Sequence, residues 1–287
     1  MINWPGELVS DIARRRCVLV LGSGVSRNSI NAVGRSPKTW AAFLQDQLVN
    51  IKPNAHIRKL LKENDYLTAC EVIKSSLGRE RFTRIVRDEF LTPAYIPAPI
   101  HEAIFKLDSR IVITPNFDKI YETYANAQAN GSIVVKQHCD NDVNSVIRES
   151  GRVILKLHGS IDSPDNMVFT RAEYAKARTQ SASFYEIVQA LSLTHTFLFI
   201  GCGINDPDIK LLLEDTFFRH RSARSHVMIL PSDSVHKSLV PILQETMNLR
   251  ILNYSSKSRH AELLTSLQAL GQAVDQEREQ IRIGSNW

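Results

Sequence analysis

Three short segments hold side chains whose types and spacing could do chemistry: Gly22-Ser23-Gly24-Val25-Ser26, Thr114-Pro115-Asn116-Phe117-Asp118 and Lys156-Leu157-His158-Gly159-Ser160. A GxG turn lets the backbone bend tightly and approach a pyrophosphate, which backbone N–H groups and the Ser26 hydroxyl can hydrogen-bond. Asn116 and Asp118 bring an amide and a carboxylate into one turn. His158 supplies the side-chain type best suited to base catalysis near neutral pH. A phosphate loop, an Asn/Asp pair and a histidine make a candidate nucleotide site. A fourth segment, Gly201-Cys202-Gly203-Ile204-Asn205-Asp206-Pro207, adds two glycines that suit close approach by a ribose or phosphate. Each segment also has a purely structural reading. The glycines can serve a tight turn, Thr114, Asn116 or Asp118 can cap a helix, and His158 can be a hydrogen-bonded core residue. Asp206 with Pro207 fits the cap and first turn of a helix.

An open α/β sheet builds its ligand crevice at the carboxyl ends of its strands. Each of the first three segments follows an apolar, β-branched run that reads as a buried strand, at residues 18–21, 111–113 and 153–155. From residue 110 onward strand and helix patterns alternate. Strands are expected at 110–114, 132–136, 152–157, 196–201, 226–231 and 249–253. The helices expected are 117–129, 141–149, 170–178, 181–193, 206–219 and 234–247, with a last one near 259–270. A short helix over 6–16 leads into the first strand. Between the first and second strands, residues 39–91 read as almost wholly helical. Trp40, Phe43, Leu44, Leu48 and Ile51 recur at helical spacing, as do Phe82, Ile85, Val86 and Phe90, and prolines at 93, 97 and 99 close the block. The fold class that follows is α/β: a Rossmann-like, doubly wound parallel sheet with a helical insertion after the first strand.

Composition narrows the function. A hydrophobic fraction of 43% and a charged fraction of 23% over 287 residues are those of a globular chain with a substantial core. The N-terminus lacks the basic and apolar regions of a signal peptide, and no apolar run is long enough to span a bilayer, so a cytoplasmic location is the expectation. The four cysteines are each more than 50 residues apart, which supports neither a zinc ribbon nor a disulfide framework. A net charge of +5 comes from scattered basic residues, with small clusters at Arg14-Arg15-Arg16 and 219–224. Such a distribution suits a solvated face or an anionic nucleotide, with weak contact to nucleic acid or an acidic partner left open. A hydride-transferring dehydrogenase is disfavoured, because Arg27 replaces the third glycine of that fingerprint and no acidic ribose ligand follows a second strand.

The four segments, in this order and each after a strand, resemble the sirtuin family from Cys17 to about Leu270. The family's glycine-rich phosphate loop (GAGxS) corresponds to Gly22-Ser23-Gly24-Val25-Ser26, and its TQN-I-D segment to Thr114-Pro115-Asn116-Phe117-Asp118. Its LHG segment corresponds to Leu157-His158-Gly159, and its later glycine loop to Gly201-Cys202-Gly203. The two CxxC pairs of zinc-binding sirtuin deacylases are missing, and Ser36-Pro37-Lys38-Thr39-Trp40 stands where a Pro-Asp-Phe-Arg segment would be. With Asn205-Asp206-Pro207-Asp208-Ile209, this is similar to the zinc-less sirtuin-like domains of bacterial anti-phage defence, which typically hydrolyse NAD+.

The resemblance implies an NAD+ glycohydrolase that releases nicotinamide and ADP-ribose and depletes NAD+ in abortive-infection defence. Asn116 would hold the nicotinamide ribose and position water, His158 would act as base, and Asp118 would contact the carboxamide or hold its loop. Gly22, Ser23, Gly24 and Ser26 would cradle the diphosphate, with Gly201, Cys202 and Gly203 along the adenosine. NAD+ is then the substrate and no metal is expected. The domain expected is 1–275, with the helical module at about 39–91, followed by a tail over 276–287 whose Ile281, Ile283 and Trp287 could dock on a neighbour. Little sequence remains for a sensor, so control is expected from outside. The resemblance points to a homo-oligomer working with a HerA-type hexameric DNA-translocase ATPase. The competing readings are a non-catalytic NAD+- or ADP-ribose-binding regulatory subunit of such an ATPase, and an NAD-dependent deacylase or ADP-ribosyltransferase.

Overall fold

The computed structural model describes residues 1–52, 54–204, 213, 224–236 and 238–284. The expected helix at 206–219, with its Asp206-Pro207 start, and Trp287 lie outside the described residues.

Strand β1 (Cys17–Leu21) is buried at every position, as an apolar run covered on both faces must be. Its neighbours are β2 (Ile111–Thr114) and β5 (Thr196–Ile200), both parallel to it. Beyond β2 lie β4 (Val153–Lys156) and the edge strand β3 (Val134–Gln137), and beyond β5 lie β6 (His226–Pro231) and the edge strand β7 (Leu249–Tyr254). The sheet order is therefore β3-β4-β2-β1-β5-β6-β7, with every pairing parallel. The chain places β2, the edge strand β3 and then β4 on one side of β1, and afterwards crosses to build β5, β6 and β7 outward on the other. That reversal opens a crevice at the carboxyl ends of β1, β2 and β5, the switch point where doubly wound sheets bind ligands.

Alternate residues of each strand feed two apolar layers. On one face Leu19, Leu21, Val112, Ile154, Leu198 and Ile200 pack with α1 (Gly6–Ala13), α7 (Pro99–Lys106) and the closing helix. On the other, Val18, Val20, Ile113, Leu155, Phe197 and Phe199 pack with α11 (Ala182–Thr194). The expected insertion is α3 (Trp40–Gln47), α4 (Ala55–Lys62), α5 (Tyr66–Leu77) and α6 (Arg79–Phe90), lying between β1 and β2. It has its own core of Phe43, Ile73, Phe82 and Val86, completed by Ile161, Met167 and Phe169 from the segment after β4. The insertion therefore packs against the chain just beyond His158.

Two expectations change in detail. After α12 (Val240–Met247) and β7, the closing element α13 spans Lys257–Gly284, with a left-handed turn at Ser258, Arg259 and His260 near its start. Helix thus continues through most of the segment expected as a tail. The scattered arginines also gather more than sequence spacing suggests. Arg15 (2.6 Å), Arg152 and Arg278 (3.7 Å) converge on Asp108 at the amino ends of the strands, opposite the crevice.

One buried group makes the sheet sensitive to acid. His226 opens β6, and its Nδ1 accepts the Phe197 N–H at 3.1 Å, which requires that nitrogen to be unprotonated. Burial pushes its pKa down from 6.5 to about 4. The unfolded chain takes up a proton as pH falls through 6.5 whereas the folded histidine stays neutral, so stability present above 6.5 is lost as pH drops towards 4. A shift of this size is worth about 3 kcal/mol. His226→Asn keeps an acceptor but does not titrate. Urea unfolding between neutral pH and pH ~4 should therefore show the wild type losing about 3 kcal/mol more than the variant. Parallel pH profiles for the two proteins would count against this assignment.

Candidate active site

A cavity of about 390 Å³ opens at the carboxyl ends of the strands, within the ~300–1,000 Å³ of small-molecule sites. Eight of the residues expected at the site line it: Gly22, Ser23, Ser26, Asn116, Asp118, His158, Cys202 and Gly203. Gly24 and Gly201 instead meet each other behind the wall. A Cβ on Gly22 would lie 2.4 Å from the Gly201 oxygen, and one on Gly201, whose φ is +65°, would lie 2.6 Å from the Val25 nitrogen. The two loops thus pack backbone on backbone. The amides of Gly22, Gly24 and Val25 bond to Ile200, Gly201 and Gly22 carbonyls at 3.0, 2.9 and 3.0 Å. From the first loop, Gly22, Ser23 and Ser26 line the cavity. Cys202 is buried at the wall, its thiol 3.4 Å from the Val20 carbonyl oxygen.

The loop after β2 is tied at every turn. The Thr114 hydroxyl donates to the Leu21 carbonyl (2.7 Å) and accepts the Asn116 N–H (3.1 Å), which joins the ends of β1 and β2. The Asp118 carboxylate serves two partners. Its Oδ1 accepts the Ile120 N–H (3.0 Å) at the start of α8 (Ile120–Gln128), and its Oδ2 accepts the Ser26 hydroxyl proton (2.8 Å). Capping and site building are therefore one role. Because the single Ser26 proton goes to Asp118, the Ser26 oxygen can only accept from Asn116, whose Nδ2 lies 3.2 Å away. This chain of bonds fixes the Asn116 amide nitrogen on Ser26, and among the described residues its Oδ1 takes no hydrogen bond.

Lys156 ends β4 with no exposure at all. Its ammonium donates to the Asp118 carbonyl (2.7 Å) and to Glu122 Oε2 (2.9 Å) on α8, and reaches the Phe117 carbonyl at 3.5 Å. Burial raises the Glu122 carboxyl above the usual range, opposed by the nearby ammonium. Two residues beyond the strand's end, His158 is only 5% exposed. Its carbonyl accepts the Val168 N–H (3.0 Å), and Gly159 follows in the left-handed region, where a Cβ would lie 2.5 Å from the Asn166 oxygen. The Tyr174 hydroxyl, from α10 (Arg171–Gln180), sits 2.8 Å from His158 Nε2. The same cavity is lined by the aromatic rings of Trp40, Phe90, Phe117 and Phe169, among which Trp40 stacks on Phe169 at 5.3 Å. Among the described residues no three His, Cys, Asp or Glu side chains gather as metal ligands.

This sheet, with an Asn/Asp loop after β2 and a histidine after β4, is matched by a model of the SIR2-like domain over residues 110–252. The chain belongs to the SIR2-like family. The match takes in Asn116, Asp118, His158 and the Gly201 loop, while the Gly22 loop lies before it. Curated relatives include an NAD(+) hydrolase ThsA of Acinetobacter baumannii, 28% identical over 72% of this chain and 40% of the relative. A second NAD(+) hydrolase ThsA, from Enterococcus faecium, is 25% identical over 76% and 44% of the two chains. Defense-associated sirtuin 2 of Bacillus subtilis is 24% identical over 87% of this chain and 24% of its own length. The chain spans less than half the length of these relatives.

Three parts of this SIR2-like site carry no short-range sequence motif of their own. Lys156 had one signal, a charged residue in a strand that is otherwise apolar. Glu122 lies one helical turn beyond Asp118, and Tyr174 is brought to His158 only by the packing of α10. Lys156→Met leaves the Glu122 carboxylate buried without its counter-charge and should cost about 3–5 kcal/mol in urea unfolding. Removing both charges, in Lys156→Met with Glu122→Leu, should recover at least half of that loss. A single variant within about 1 kcal/mol of wild type would remove the pair from its structural role.

Proposed function

We propose that the chain is an NAD+ glycohydrolase acting in anti-phage defence, cleaving the nicotinamide–ribose bond to give nicotinamide and ADP-ribose. The observation that carries this reading is the Asp118–Ser26–Asn116 chain of hydrogen bonds, which lines one cavity together with His158. The relatives named NAD(+) hydrolase and defence-associated sirtuin support it.

Cleavage of the glycosidic C–N bond leaves the electron pair on nicotinamide, which departs neutral, and puts positive charge on the ribose. Asn116 Oδ1 accepts from a ribose hydroxyl or from the attacking water and so fixes its direction. The Asp118 carboxylate, held by Ser26 and the Ile120 amide, supplies fixed negative charge near the developing cation. Water adds to the ribose carbon, and His158 takes the proton it releases. The aromatic wall shelters the pyridine ring and limits bulk water. Gly22, Ser23 and Ser26 approach the diphosphate, and Cys202 and Gly203 lie along the adenosine side, with Gly24 and Gly201 holding the two loops together. NAD+ is the substrate, and this chemistry calls for no metal. Activity in the cytoplasm, as a homo-oligomer controlled by a HerA-type ATPase partner, completes the reading.

The test is nicotinamide release from NAD+ by the purified chain, alone and with a HerA-type ATPase as the proposed partner. Asn116→Ala and His158→Ala should each lower turnover by about 10²-fold or more while melting within a few degrees of wild type. If folded wild type consumes no NAD+ in any assembly but binds it, the chain is a regulatory binding subunit. If both variants stay fully active, the residue roles are wrong.

A further inference from the structure

We infer that Glu89 is a positioning residue that holds one wall of the cavity ready for substrate; as far as it concerns NAD+, this rests on the proposed function. Glu89 stands near the end of α6, one position before Phe90, which lines the cavity. Its side chain is only 7% exposed, and it takes no part in the proposed chemistry. A carboxylate so far out of water keeps its charge only where donors replace the lost hydration. Oε2 accepts from the Arg35 guanidinium and from the Lys38 ammonium (2.9 Å), and Oε1 accepts from the Tyr95 hydroxyl at 3.4 Å. Both cations come from one short stretch, Arg35-Ser36-Pro37-Lys38.

That stretch is part of the cavity wall. Pro37 and Lys38 line the cavity beside Gly22, Ser23 and Ser26, and Thr39 then caps α3, which opens with Trp40. The turn ahead of it is closed on itself: Asn31 Oδ1 accepts the Val33 and Arg35 N–H groups, and the Arg35 carbonyl accepts the Asn31 N–H. Outward, the segment is tied by the Ile96 N–H on the Ile30 carbonyl (2.8 Å), by Lys38 on Asp46 (2.6 Å) and by Glu89. Asp46 is half exposed, so its pair holds little. Glu89 is the buried anchor, carried on a helix that Phe82 and Val86 fix in the insertion's core. Without its charge Arg35 and Lys38 return to water and the wall loosens. A site whose wall is in place in only a fraction of molecules loses affinity in that proportion, whereas the chemistry of the bound state is unchanged.

Glu89→Gln keeps the shape of the side chain and removes its charge. In hydrogen–deuterium exchange read by mass spectrometry, the amides of residues 29–38 should exchange about tenfold faster, with β1 and β2 exchanging as in wild type. In NAD+ cleavage KM should rise about fivefold or more while kcat stays within about twofold. Arg35→Gln loosens the same tie from a half-exposed position and should speed exchange over 29–38 by about threefold. It decides the matter if Glu89→Gln does not fold. A merely structural carboxylate would speed exchange throughout the chain and leave KM alone. Unchanged exchange over 29–38, faster exchange everywhere, or a KM that stays the same or falls overturns the proposal. Wild-type protein that leaves NAD+ intact counts against the proposed function, and the exchange rates alone then decide whether Glu89 holds the wall.

Discussion

The Lys156 ammonium is the point through which the two chemical loops of the crevice are joined. It stands at the end of β4, two residues before His158, and bonds across to the Asp118 carbonyl and the Glu122 carboxylate of α8. Its desolvation is costly, and a buried pair of this kind is weak evidence for stability as such. What it supplies is geometry. A charge removed from water must keep its acceptors, so the loop after β2 cannot move relative to the strand that carries His158 without leaving that charge unpaired. Asn116 and His158 are held in register by a residue that itself need not touch a ligand.

The same economy runs through the rest of the site. Asp118 starts a helix and orients Ser26, which in turn orients the Asn116 amide. The glycines of the first and fourth loops are small because the loops touch through their backbones, and the cavity wall follows from that contact. The helical insertion shares its apolar core with the segment beyond His158 and binds the first turn of α10 through ion pairs. Removing the insertion would therefore disturb the histidine side of the site as well as take away Trp40 and Phe90 from the aromatic wall.

Much of the fold was legible in the sequence. Short near-continuous runs rich in β-branched or aromatic residues, such as 18–21 and 196–200, read as strands covered on both faces, and α3 to α6 show their apolar faces at helical spacing. The length of α13 was not legible. Beyond residue 270 its sequence is largely polar and its apolar stripe thins, so helical spacing alone gave no reason to continue to Gly284. Of the expected site residues, those that line the cavity sit on loops directly after strands, where position along the chain dictates position in space. Gly24 and Gly201 fall behind the wall because a GxG pattern specifies close approach but not what is approached.

By itself, the amino-acid sequence determined the alternation of strand and helix, the insertion after β1, and the placement of Ser26, Asn116, Asp118 and His158 at strand ends. These follow from local periodicity and chain connectivity. Only the tertiary structure decided which way the Asn116 amide faces, that Lys156 joins two loops, and that Tyr174 reaches His158. Those depend on hydrogen bonds between residues 16 to 92 positions apart in the chain, whose partners no local pattern encodes.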